Sequence, residues 1–456
     1  MPAVFVHVSD IHFGQEKDDR IHIHYDVKQQ LITDAYNVIS SIPNRSVEGI
    51  LVSGDIAHSG TRKEYEEAGK WLDALTEKIG IEKNRVQMVP GNHDLDRSKL
   101  SISGKLLLDH IRDGGSEEYE AVLQNRGDSA ALYARFEDYS RFSNAYNCPL
   151  NSDGSYASEM IVSLAPERSI RFIRFNSSLL CHGKEHNEQP ELMIGARQFT
   201  IPRDSGVENI ILVHHPLSWY KDEEQVKNYI RSRARVFISG HEHNPKVTID
   251  NVEDGSDLLM LAAGATVPYQ SNDVYTFTYN ILEFDWDEEM DRLLVTIHPR
   301  AWNPKRTCFE SDNNRLGGKA PTFSLQSPFF RAASTEKGIS SLIENEISPI
   351  VIESDPIPEK TLAEKEAIVS KNHEIQKKEP NNHDYEITKF HFFRDLYEGE
   401  RLRILVELGA LPDNFDEQMN QGLERKLLEM IVKDGNINQL KSMVDEIISD
   451  RKDKIK

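Results

Sequence analysis

The chain has 456 residues, a formal net charge of −21 at pH 7 and 38% hydrophobic residues. The length allows two to three domains, and the acidic balance argues against coating duplex nucleic acid by charge alone, while leaving room for a nuclease whose bound cations locally reverse the sign. Three widely separated cysteines, Cys148, Cys181 and Cys308, fit a reducing compartment without a disulfide framework.

An apolar run begins at once, Val4 to Val8, with no charged leader before it. No run approaches the ~18 apolar residues that would span a bilayer, so a cytoplasmic protein with no membrane partner is expected. Further runs follow, each ending in a polar loop: 49–53 before Gly54-Asp55, 86–89 before Pro90-Gly91-Asn92-His93-Asp94, and 170–175 before Asn176. Then come 210–213 before His214-His215-Pro216, 236–239 before Gly240-His241-Glu242-His243, 258–262 before Gly264, and finally 279–284 and 293–297. Between the early runs lie helical patterns. Val27, Leu31, Tyr36 and Ile39 mark one over 26–40, and Tyr65, Ala68, Trp71, Leu72, Leu75 and Ile79 mark another over 62–79. This alternation predicts an α/β core with mostly parallel or mixed strands and helices on its faces.

Residues 95–165 interrupt the alternation with Leu132, Phe136, Tyr139, Phe142 and Tyr146 at helical spacing. They read as a helical insertion, packed on the core or shaping a substrate pocket as a cap. Residues 303–335 read as loop, and 336–385 as a charged linker rich in Glu, Lys, Ser and Pro, with one helix around 360–371. Apolar periodicity returns at Phe393, Leu396, Leu405 and Leu408, in a helix broken at Gly399, then at Leu423, Leu427, Leu428 and Ile431. A last stripe is Leu440, Met443, Val444, Ile447 and Ile448. A small all-α domain is expected at 386–450.

Chemistry-bearing residues collect at the ends of the apolar runs. Asp10 and His12 stand two apart, which puts both on one side of an extended segment. Asp55 follows a glycine, and so does Asn92. His214 follows the 210–213 run, and His241 and His243 repeat the two-apart spacing. Two carboxylates, an amide and four imidazoles without a thiolate suit Mn, Fe or Zn. They are too many for one catalytic ion with open positions, and two ions sharing a carboxylate use them better.

In this order, Asp10-x-His12, Gly54-Asp55, Gly91-Asn92-His93-Asp94, His214-x-Pro216 and Gly240-His241-x-His243 resemble the calcineurin-like metallophosphoesterase family. The resemblance implies a four-layered α/β/β/α sandwich over residues 1–302, interrupted by the helical insertion. It implies two divalent transition metal ions, with Mn first and Fe or Zn as alternatives. Asp10, His12 and His243 would hold one ion, and Asn92, His214 and His241 the other. Asp55 would bridge, and His93 would face the substrate as a proton donor to the leaving group. A hydroxide shared by the two ions would attack phosphorus.

Neighbouring residues carry blander readings. His215 competes with His214 as a ligand, and the position two before Pro216 favours His214. Asp94 orients the loop through backbone hydrogen bonds or acts directly. His7 reads as a core histidine, and His22, His24 and His58 as solvated or structural. Arg97 reads as a surface residue, and His182 and His186 offer no spacing argument.

Three substrates compete: a small or cyclic nucleotide phosphodiester, DNA or RNA, and a phosphomonoester. The acidic surface favours the first. At the C-terminus, Phe392-Phe393-Arg394-Asp395-Leu396 and Arg401-Leu402-Arg403 leading to Leu408-Gly409 are similar to death-like helical adaptor domains of bacterial defence effectors. That resemblance implies a protein partner, or self-association, through 386–450.

Overall fold

In the computed structural model the described residues are 1–331 and 382–454, except 17–19, 184, 186–189, 251–256, 269–275, 397, 412–420 and 434. The chain divides into two compact units, Met1–Thr335 and Glu336–Lys456. Most of the expected linker, with its helix at 360–371, lies outside the described residues, as does His186.

The first unit is a pair of mixed sheets. In one, β1 (Ala3–Val8), β2 (Ser46–Val52) and β3 (Val86–Met88) run parallel, with Val8 beside Val52 and Val52 beside Met88. Their carboxyl ends therefore reach one edge together. Antiparallel to β1 lies β10 (Thr278–Asp287), followed by β11 (Arg292–Asn303), β12 (Cys308–Ser311) and β13 (Thr322–Leu325), the last two both paired with β11. The other sheet orders β4 (Ile161–Ala165), β5 (Arg168–Arg174), β6 (Val207–Leu212), β7 (Ala234–Ser239), β9 (Leu258–Ala262) and β8 (Lys246–Asp250). Here β5, β6, β7 and β9 are parallel.

The sheets meet through a shared apolar core. Phe5, Leu51, Leu282 and Val295 of one pack with Phe172, Ile210, Leu212, Val236 and Leu259 of the other. Helices cover the outer faces: α1 (Arg20–Ser41) and α2 (Arg62–Ile79) on the first sheet, and α8 (Glu223–Arg233) on the second. This is the α/β/β/α layering expected. The predicted stripe of α2 is buried in full, and its N-terminus is closed by a Thr61–Glu64 capping box. On α1, Val27, Leu31 and Ile39 are buried, but Tyr36 is 42% exposed and Ala35 takes its place on the core face.

Four strands were not anticipated: β4, β8, β12 and β13. Central strands are covered on both faces and read as continuous apolar runs. These four are short or lie at sheet margins, with burial alternating between core and solvent, so their sequences look like loops. Residues 303–335 are therefore not loop alone, because β12 and β13 extend the first sheet beyond the expected limit at 302.

The interruption after the third loop contains four helices, α3 (Ile102–Gly114), α4 (Ser116–Gln124), α5 (Arg126–Tyr133) and α6 (Glu137–Ala145). Its aromatic stripe faces inward. Phe142 stacks on Tyr65 of α2 with ring centroids 5.0 Å apart, and the Tyr146 hydroxyl donates to Asp73 Oδ1 at 2.9 Å.

The second unit is helical: Asn382–Asp395, Glu398–Glu407, Gln421–Lys433 and Ile437–Lys454. Phe392, Phe393, Leu405, Leu428, Leu440 and Val444 form its core. The first of these helices ends at Asp395 and the next begins at Glu398, so Gly399 lies inside a helix and is not the break. Arg401 is buried there and donates to Glu424 Oε1 at 3.0 Å. Among the described residues no helix is long and apolar enough to cross a membrane.

Candidate metal centre

The loops after β1, β2, β3, β6 and β7 converge at one edge of the sandwich, where strand ends of an open α/β sheet commonly place a site. Their backbones are unusual. Ten non-glycine residues described have positive φ, and five of them are Asp10, His12, Asp55, His241 and His243, with φ between 52° and 73°. Each such residue is strained by ~1–3 kcal/mol and persists only where the surroundings over-determine it. Asp10 and His12 thus reach the same place by a route other than the extended alternation expected. Both are left-handed, and their loop is tied to the next by Asp10 N–H to Gly54 O at 3.0 Å and His12 N–H to Asp55 O at 3.0 Å.

Two glycines make room for neighbouring loops. A Cβ on Gly91 would stand 2.1 Å from Asp55 Oδ1, and one on Gly240 would stand 2.3 Å from Ser9 Oγ and 2.9 Å from Asp10 Oδ2. Neither position admits a side chain without displacing a candidate ligand.

Asp55 lies at the centre. Its Oδ2 is 3.3 Å from His12 Nε2 and 3.3 Å from His214 Nε2, while Oδ1 accepts the His93 backbone N–H at 2.8 Å. On one side, His243 Nε2 is 3.1 Å from Asp10 Oδ1, and Asp10 Oδ2 accepts from Ser9 Oγ and the His241 backbone N–H. On the other, His214 Nε2 is 3.1 Å from Asn92 Oδ1, and the His214 ring meets that of His241 at 5.1 Å. Among the described residues four donor groups have their ligand atoms within 4.8 Å of one another: Asp10–His12–His243, Asp10–Asp55–His214, His12–Asp55–His93 and His214–His215–His241. All eight residues singled out from the motifs are brought into this one cluster.

The donor set fits cations. His214 Nδ1 is 2.8 Å from the Ser53 carbonyl, which can only accept, so Nδ1 carries the proton. Nε2 faces the oxygens of Asp55 and Asn92, so it carries a proton there or shares a cation with them. Burial opposes charge on His214, yet Asp55 and its hydrogen bond raise the ring's pKa to about 9. Burial likewise opposes charge on Asp55, and His214 and His12 hold it well below the usual carboxylate range. Burial and the neighbouring His214 lower His241 to about 4, which keeps the ring neutral with one nitrogen lone pair available. His12 Nδ1 is buried with no hydrogen-bond partner.

His215 is placed differently from His214. Its Nδ1 is 2.8 Å from Ser177 Oγ and its Nε2 is 3.8 Å from Cys181 Sγ, so both ring nitrogens are engaged away from Asp55. His93 is half-buried. Its Nδ1 donates to the His58 carbonyl at 2.8 Å, leaving Nε2 as the ring's remaining functional atom. It also lies within ligand reach of His12 and Asp55, so proximity alone admits it to a metal group. Asp94 is fully buried and accepts from the Ile56, Ala57 and Gly91 backbone N–H groups and from the Tyr65 hydroxyl. It staples the Asp55 loop to the Asn92 loop. Burial, then the charge of Asp55, raises its pKa to about 6.

Two further residues touch the cluster. His58, read in the sequence as solvated or structural, stacks on His93 with centroids 5.2 Å apart. Its position three residues past Asp55 was the available signal. Trp219 meets His241 edge to face at 4.3 Å, and nothing in its local sequence marks it. Of the other histidines weighed in the sequence, those described lie outside the cluster. His7 is a core residue between Ser53 and Asn280, His24 is buried near Glu16 and Phe277, His22 is exposed, and His182 pairs with Glu191. Arg97 is exposed, as expected.

Comparison with known proteins adds a frame. Residues 3–245 match the family model of the calcineurin-like phosphoesterases, and residues 384–446 match that of the GTPase-associated adaptor domain. An uncharacterized metallophosphoesterase-like protein, YydB of Bacillus subtilis, is 24% identical over 356 residues, covering 76% of this chain and 68% of its own length. Among solved structures, a Vps29 variant from Entamoeba histolytica superposes with a TM-score of 0.30 at 12% identity, over 71% of this chain and 99% of that one. The calcineurin-like phosphoesterase YfkN from Bacillus subtilis does so with a TM-score of 0.30 at 9% identity, over 75% and 98%. Superpositions at these scores carry no argument; the family-model match over more than half of the chain does.

Proposed function

Since the chain belongs to the calcineurin-like phosphoesterase family and is a hydrolase of phosphoric esters, we propose that it is a phosphodiesterase using two divalent metal ions and acting on a small or cyclic nucleotide. The observation that carries the two-metal reading is the position of Asp55, whose Oδ2 stands 3.3 Å from both His12 and His214 and so belongs to two donor sets. Asp10, His12 and His243 would hold one ion and Asn92, His214 and His241 the other, with Asp55 between. The mixed nitrogen and oxygen donors suit Mn first, with Fe or Zn as alternatives. Bound there, the ions would supply an acidified water as nucleophile and positive charge for the phosphoryl oxygens.

The protein's own contribution is placement. Asp94 and the left-handed loops hold the donors in position before substrate arrives, which limits reorganisation during reaction. The Nδ1 bond to the His58 carbonyl orients His93, so that in the imidazolium form Nε2 is the atom that would give a proton to the leaving oxygen. Stacking on His58 further restrains the ring.

The deciding experiment is a turnover panel with Mn-, Fe- and Zn-loaded protein. Bis-p-nitrophenyl phosphate against p-nitrophenyl phosphate separates diesterase from monoesterase. Cyclic nucleotides against single-stranded DNA then separate small substrates from a nuclease. Preference for the monoester, or for DNA, removes the small-diester reading.

The adaptor match at 384–446 supports a further proposal, that residues 386–450 recruit a protein partner to the enzyme. Pull-down with the isolated segment against the full chain tests it, and absence of a shared partner argues for self-association instead.

A further inference from the structure

The side-chain contacts of the cluster run in a line: His58, His93, His12, Asp55, His214, His241, Trp219. Its two ends differ in chemistry. One is a pair of imidazoles, suited to protons and oxyanions. The other is an indole.

Trp219 is half-buried at the end of the one-turn helix Leu217–Trp219, which follows Pro216. Leu217 of the same turn fills the core at 4% exposure, whereas Trp219 remains at the surface. The indole is nevertheless positioned. Its Nε1–H donates to Glu242 Oε1 at 3.4 Å, and its plane stands at 88° to the His241 ring. Glu242 is the residue between His241 and His243, so the tether fixes the indole to the loop that carries two candidate ligands. A large flat apolar side chain is thus held beside a group of charged and polar donors while part of it faces solvent. Indole is the side chain best suited to stacking against another planar ring, and such stacking tolerates many ring types.

We propose that Trp219 is a specificity-determining residue: it receives a planar aromatic substituent of the phosphodiester, such as a nucleobase or an aryl ring. This rests on the phosphodiesterase reading and adds to it a reason for preferring aromatic over aliphatic diesters. The competing role is a prop that merely holds His241 in place. A prop would affect all substrates equally, whereas a stacking surface affects only those with a ring to stack.

Two diesters with the same leaving group make the test, bis-p-nitrophenyl phosphate and methyl p-nitrophenyl phosphate, which differ in the substituent that stays on phosphorus. In Trp219→Ala the ratio of their kcat/KM values should fall roughly tenfold, and in Trp219→Phe it should recover most of that loss. Equal losses on both substrates, or an unchanged ratio, overturn the proposal. A binding readout stands apart from turnover. By calorimetry on the metal-loaded protein, Trp219→Ala should weaken adenosine 5′-monophosphate about tenfold more than it weakens ribose 5-phosphate. Equal weakening overturns the proposal here too. If the wild type hydrolyses neither diester, the phosphodiesterase reading fails, and the two monophosphates still decide the role of Trp219.

Discussion

The edge that carries the metal-ligand candidates and the C-terminal helical unit are held together by opposite means. At the site, residues far apart in the chain converge, five of them in left-handed backbone conformations. In the helical unit, neighbouring amphipathic helices bury one stripe each, and Arg401 with Glu424 is a buried ion pair set in that core. The first arrangement is strained and is stabilised from outside, by the sheets beneath it and by Asp94 between its loops. The second is stabilised by its own burial. The proposed ligands concentrate in the strained region, where the surroundings hold donors in conformations that a free loop would relax.

Substitutions can break this contrast, beginning with the shared carboxylate. Asp55→Asn removes the charge common to both donor sets. Turnover should drop by at least about a thousandfold, with loss of bound metal measured by elemental analysis. A variant that keeps both metals and most of its turnover would end the bridging role of Asp55.

His93→Ala should come next, with turnover down by roughly 10²- to 10⁴-fold at unchanged metal content. Loss of metal instead would make His93 a ligand rather than a proton donor, an arrangement its distance to His12 and Asp55 also admits.

In the helical unit the expected damage is to stability. Glu424→Gln leaves Arg401 buried without its anionic partner, which should destabilise that unit by ~3–5 kcal/mol in chemical denaturation. Turnover should stay as it was. A parallel fall in activity would show the two regions to be energetically coupled.

The smallest effect sharpens the comparison most. Deleting residues 380–456 should change in vitro turnover by less than about twofold if the helices are a recruiting module that acts independently of the chemistry. A large loss would make them part of the catalytic fold.

Much of the site was legible because ligand chemistry is local. Asp10-x-His12 or Gly240-His241-x-His243 can be read within four residues, and a glycine before a ligand announces a close approach that Gly91 and Gly240 do make. Strands covered on both faces were legible for a similar reason, as with β6 and β7, whose apolar runs Ile210–Leu212 and Val236–Ile238 are wholly buried, although the buried Glu208 and Arg235 lie just outside those runs. The marginal strands β4, β8, β12 and β13 were not. Their burial alternates or is partial, and what makes them strands is a partner elsewhere in the chain. The break between the first two C-terminal helices was displaced for a related reason, since Gly399 is tolerated in a first helical turn.

The amino-acid sequence by itself determined which residue types stand at the ends of which strands, and hence a metal-dependent phosphoesterase. That information resides in side-chain chemistry and short spacing, which need no fold to be read. Only the tertiary structure decided which atoms meet. It gave Asp55 to both His12 and His214, turned His215 towards Ser177, and set Asp94 across two loops. It also brought His58 and Trp219 to the two ends of the cluster. Those outcomes depend on sheet register and left-handed turns, which are set by packing between segments up to hundreds of residues apart.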